Sequence, residues 1–201
     1  MFGIHLHLQM SCHIKLAVFF VHLYFLNIID VCSSLFPNVY NIDSFPSIES
    51  TATSIVLEPW TCNDMEFEFF DISRFTLLES LDIGSNSFAF VKMFKIKALS
   101  RLKSLRIGIR SFTERKGSFG ENKSKSFHIL NCESLRSIEI GEFSFSDYAG
   151  EFELKNCPQL HSLKIGSIKK DSYNFYYSSF VIRGIDMKSA VMNRSSGIEV
   201  R

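Results

Sequence analysis

One interval recurs four times along this chain without changing length. Fourteen residues separate Phe70 from Gly84, Phe94 from Gly108, Phe127 from Gly141 and Phe152 from Gly166. In the first copy the apolar residues fall at 70, 72, 75, 78, 81 and 83. A gap of two is strand alternation, and successive gaps of three suit a short irregular arc. The glycines themselves are spaced by 24, 33 and 25 residues, so all length variation lies between a glycine and the next phenylalanine. That is the behaviour of a rigid coil with one tolerant loop. Each coil therefore reads as strand, arc, strand, loop. Neither strand can bury its apolar face alone, so the coils stack. The expectation is a mainly β solenoid with irregular arcs, four to five coils long, whose strands run parallel. Phenylalanine is unusually frequent, 21 of 201 residues, and most of the excess occupies fixed repeat positions, which predicts an internal column of rings.

The repeat divides the chain. Residues 70–185 form the array. Its first three copies end in Ser87-Phe88, Ser111-Phe112 and Ser144-Phe145. The fourth reads as having lost that ending, and a fifth starts at Phe180 and Ile182 and stops. Lys188 and Asn193 then stand where apolar residues are due, so 186–201 is expected to be an irregular tail or, as the favoured reading, a truncated repeat. Residues 35–69 suit an N-terminal cap with a degenerate first coil: Ser54–Leu57 can be laid over Ser80–Ile83, and Trp60 follows. Residues 1–34 contain an apolar run at 16–29 behind Lys15, short for a bilayer span but of signal-peptide length. They are expected to be a signal peptide or membrane anchor. A buried capping helix and a late start at Met10 are the alternatives.

Composition excludes some classes. Twenty-two basic against 21 acidic residues give no general attraction to nucleic acid. Five cysteines form no Cys-x-x-Cys pair, so neither zinc nor thioredoxin-like chemistry is indicated. Cys132 and Cys157 share one inward slot, also filled by Phe75, Leu99 and Ile185, and read as two small hydrophobes. A bridge between them is geometrically conceivable.

Leu78-Glu-Ser-Leu81-Asp-Ile83-Gly-Ser-Asn86-Ser-Phe88 resembles the leucine-rich repeat pattern, Leu-x-x-Leu-x-Leu-x-x-Asn-x-Leu. The later copies place Arg110, Phe143 and Lys170 in the Asn slot, so the family's asparagine ladder is missing. The Phe-x-Ile strand is similar to the β-rich variant of BspA-type surface antigens. The resemblance implies a curved solenoid that binds other macromolecules.

Candidate contact residues follow from the coil. Asp82, Arg106, Glu139 and Lys164 stand between the Leu and Ile of each outer strand with alternating sign. They form either a binding stripe or a self-neutralising ladder. Ser80, Ser104, Ser137 and Ser162 make a second ladder, read as neighbour-to-neighbour hydrogen bonding. The loops should cluster along one rim. Residues 113–126 read as flexible. Tyr148 lies in the next loop, and Lys169, Lys170, Tyr173, Phe175, Tyr176 and Tyr177 in the one after, the composition of protein-binding loops. Asn122 and Asn193 are glycosylation acceptors if the chain is exported. The six histidines, His128 and His161 among them, make no ligand spacing. No phosphate loop, nucleophile elbow or metal motif appears, so no catalytic residue, cofactor or metal is expected.

These observations predict a non-catalytic binding module whose partner is another protein, outside the cell or on its surface, with membrane contact only through the N-terminal run. A cytoplasmic scaffold segment of a longer protein is the first alternative. A parallel β-helix acting on polysaccharide is the second; it would need acids at facing slots, whereas here a base separates them.

Overall fold

The computed structural model describes residues 50–114, 121–167, 169–185, 190–193 and 197–200. They lie within the compact unit Ile48–Arg201. Among the described residues there is no helix. A seven-stranded sheet holds β1 (Ser54–Leu57), β3 (Ser80–Ile83), β5 (Ser104–Ile107), β7 (Ser137–Ile140) and β9 (Ser162–Gly166), followed by β12 (Gly197–Val200) and β11 (Ala190–Asn193). A five-stranded sheet holds β2 (Phe69–Asp71), β4 (Met93–Lys97), β6 (Ser126–Leu130), β8 (Glu151–Lys155) and β10 (Ser179–Arg183). The chain alternates between the sheets, winding a β-solenoid of about five turns.

Strands from successive coils pair in parallel at equivalent repeat positions. Phe70 opposes Phe94, Phe94 opposes Phe127, and Phe127 opposes Phe152. Ser54 opposes Ser80, and Leu81, Leu105, Ile138 and Leu163 run side by side. Alternation then turns every second residue inward. Phe70, Ile72, Leu81, Ile83 and their equivalents in the next three copies are buried, whereas Phe180 and Ile182, on the last strand of the five-stranded sheet, are half-buried.

Strand spacing dictates how the rings pack. Parallel neighbours lie about 4.8 Å apart. The ring centroids of Phe70, Phe94, Phe127 and Phe152 are accordingly 4.7–4.8 Å apart, with planes within 8° of parallel. A second column, Phe88, Phe112 and Phe145, stacks at 5.0 and 4.7 Å and meets the first edge-on. Each aromatic contact adds about 0.5–1.5 kcal/mol beyond area burial.

The corner after each outer strand is the tightest point. A Cβ on Gly141 would stand 2.6 Å from the backbone of Gly108 one coil away, and one on Gly108 would stand 2.5 Å from Ser85 N. The glycines are there because adjacent backbones touch. Two and four residues later the chain adopts positive φ, at Asn86 and Phe88, Arg110 and Phe112, and Phe143 and Phe145. A left-handed phenylalanine costs about 1–2 kcal/mol; burial of its ring in the column offsets that. Serines tie the corners together: Ser111 Oγ donates to Gly84 O at 2.9 Å and Ser144 Oγ to Gly108 O at 2.7 Å.

Three expectations need correction. The fourth copy keeps its corner, displaced by five inserted residues. Asn174 Nδ2 donates to Gly141 O at 2.8 Å in place of a serine, and Phe175 stacks on Phe145 at 4.8 Å. Tyr173 and Phe175 carry the two positive φ values, so Tyr173, not Lys170, is the equivalent of Asn86. The C-terminal segment is not irregular where it is described. β12 pairs antiparallel with β9, and β11 with β12. A final solenoid strand exposes unpaired N–H and C=O groups, and this hairpin satisfies them. Finally, residues 121–126 at the end of the 113–126 loop dock on the next coil: Asn122 N donates to Asp147 O at 2.9 Å, and Lys125 is buried. Residues 115–120 are outside the described residues.

Cys62, at the Phe-column position of the first coil, is disulfide-bonded. Cys132 and Cys157 are free thiols, both buried. The hydrogen bond with Cys157, then burial, holds the Cys132 thiol far above its ordinary value. The apolar run at 16–29 lies outside the described residues, within which no helix is long and apolar enough to cross a membrane.

Candidate functional site: the outer face of the seven-stranded sheet

Outward residues of β3, β5, β7 and β9 line an open trough of about 490 Å³ that runs across four coils. Its floor carries Ser80, Ser104, Ser137 and Ser162 beside Asp82, Arg106, Glu139 and Lys164, and Val56 of β1 stands at one end. Strand register brings the charges together. Arg106 Nη1 lies 3.1 Å from Asp82 Oδ2, its Nε lies 3.9 Å from Glu139 Oε2, and Lys164 Nζ lies 2.9 Å from Glu139 Oε1. All four side chains remain at least a third exposed. At that exposure each pair contributes about 0–1 kcal/mol, so a partner's charges can displace them at little cost. Among the serines, Ser80 Oγ donates to Ser54 Oγ at 2.8 Å. A second exposed pair, Lys103 with Glu79 at 2.6 Å, flanks the trough. Its hydrogen bond and charge hold the Glu79 carboxyl below its ordinary value.

The loop rim is smaller than the sequence suggested. Tyr148 and Phe175 are 0% and 1% exposed and cannot contact a partner. Tyr148 packs edge-on against Phe145, and its hydroxyl donates to Val91 O at 2.8 Å. Phe175 completes the ring column. Both are core because the loops fold back over the coil. The others stay at the surface. Lys170 pairs with Glu142 at 2.9 Å, and Lys169 is exposed. Tyr173 is half-buried and donates to Asp171 Oδ2 at 3.1 Å, which raises its phenol above the ordinary value. Tyr176 and Tyr177 meet edge-on at 5.0 Å and are about 40% exposed. Asn122 accepts at Oδ1 from Ser124 N and Oγ, closing a local turn. Asn193 belongs to β11.

One cluster escaped the sequence reading. His128, Glu151 and Glu153 each present a ligand atom, and these atoms lie within 4.8 Å of one another on the outer face of the five-stranded sheet. His128 Nδ1 is 3.2 Å from Glu153 Oε2. Nitrogen and carboxylate donors of this kind suit a borderline divalent ion. The signal was in the register: His128 opposes Glu153, and Glu151 lies two residues earlier on the same face.

No family model, curated protein or solved structure gives a significant match to this chain.

Proposed function

We propose that the chain is a non-catalytic binding module, a β-rich leucine-rich-repeat solenoid of the BspA type, that holds another protein against its outer trough. The trough itself carries this reading. It is open, continuous over four coils, and floored by hydroxyls and weakly held charges of both signs. Such a floor favours a partner whose own charges alternate at strand spacing, because electrostatic complementarity sets register more than affinity. Tyr176 and Tyr177 supply the aromatic contacts that interfaces favour.

Export to an oxidising compartment fits the Cys62 disulfide, since such bonds are rare in reducing cytosol. A fusion of residues 1–34 to a secretion reporter tests it; retention of the reporter in the cytosol would argue for the scaffold reading. For binding, the purified protein is screened against a panel of extracellular proteins alongside an Arg106→Glu, Lys164→Glu double variant. The double variant leaves four acids on the trough floor and should lose partners that the native protein captures. Equal capture by both would move the contact surface elsewhere.

A further inference from the structure

We propose that Lys125 and Asp147 condense into an intramolecular isopeptide bond, with Glu114 carrying the protons. Among the described residues Lys125 is a lysine with no exposed side-chain surface. Its Nζ lies 2.9 Å from Asp147 Oδ2, 2.7 Å from Glu114 Oε1 and 3.4 Å from Ala89 O. The face of Tyr148 closes the site at 5.6 Å. Asp147 is almost fully buried, and its Oδ1 accepts no hydrogen bond. The other oxygen, Oδ2, also accepts from the Glu114 backbone N–H at 3.3 Å. An amine held against a carboxyl group, in a site shielded from water and beside a partly exposed carboxylate, has the parts that amide formation requires.

The step balances without a further reactant. Nζ passes one proton through Glu114 to Asp147 Oδ1, leaving an amine and a carboxylic acid. The Nζ lone pair then bonds to Cγ of Asp147, and the Glu114 N–H donates to Oδ2 as charge gathers there. Nζ gives up a second proton through Glu114 to Oδ1, the Cγ–Oδ1 bond breaks, and one water leaves. Oδ2 becomes the amide oxygen and keeps its donor. The oxygen without a partner is the one lost. Glu114 ends as it began. The new bond would clamp the end of the 113–126 loop to the β7–β8 corner, a covalent tie independent of what the trough binds.

Mass spectrometry of the full chain, purified under reducing conditions, tests this. The expected result is an intact mass lower by one water, with a tryptic fragment joining the Lys125 and Asp147 peptides. Lys125→Arg keeps a cation and Glu114→Gln keeps the backbone donor; both should run at full mass and yield separate peptides. A native chain at full mass with unlinked peptides overturns the proposal. So does a linked Glu114→Gln chain, as far as the proton carrier is concerned.

Discussion

Two ladders run along this solenoid in the same register and differ in almost everything else. Phe70, Phe94, Phe127 and Phe152 form one, fully buried, ring against ring. Asp82, Arg106, Glu139 and Lys164 form the other, paired but wet. Both repeat once per coil. Repetition therefore shows that a position is structurally equivalent, not that it is energetically important. Burial decides that. The column holds the coils together, whereas the charged ladder costs little to disturb.

The sharpest test of this contrast is Phe94→Ala. It removes two stacked neighbours and edge contacts with Phe112 and Phe145. Denaturant unfolding should show a loss of about 3–5 kcal/mol; a loss below one would mean that the column is not the core. Gly108→Ala comes next, because its Cβ would meet Ser85 N at 2.5 Å and Gly84 C at 2.8 Å. Rigid backbone cannot move aside as a side chain can, so about 1–3 kcal/mol should be lost. Asn174→Ala strips the hydrogen bonds to Gly141 O and Ser144 O, both 2.8 Å. Leaving those carbonyls without this donor should cost about 1–2 kcal/mol and loosen the corner around Phe175, which amide exchange would detect.

Tyr148 adds a pH dependence on the core side of the comparison. Burial, then the charges of Asp147 and Glu114, holds its phenol well above the ordinary value. Stability from the neutral phenol is complete below the unfolded value of about 10 and drains away as pH rises from there toward the folded value. Melting temperature should fall in that alkaline window, and Tyr148→Phe should flatten the fall. The smallest effect belongs to the wet ladder. Glu139→Gln should change stability by about 0–1 kcal/mol. A larger loss would show that the ladder is structural and would weaken its assignment as the contact surface.

Much of this was legible beforehand. The pairings of Phe94 with Phe127 and of Ser54 with Ser80 follow from counting residues, because parallel strands place equivalent positions side by side. The alternating charges were readable for the same reason. The corner at Asn174 and Phe175 was not. Five extra residues moved it out of frame, and asparagine replaced the serine that marks it elsewhere. Tyr148 looked like a loop aromatic until its ring was found between Phe145 and the segment that ends at Lys125. His128, Glu151 and Glu153 belong to two strands, and no spacing within either one relates all three.

Spacing by itself determined the coil, its stacking and the side chains that face inward, since period-two alternation and a constant coil length act through neighbours in the chain and in the next layer. Only the folded molecule decided where the loops go. Lys125 reaches Asp147, and Tyr148 reaches Val91, across 22 and 57 residues. Such contacts depend on the path of an inserted segment through space, which no local pattern encodes.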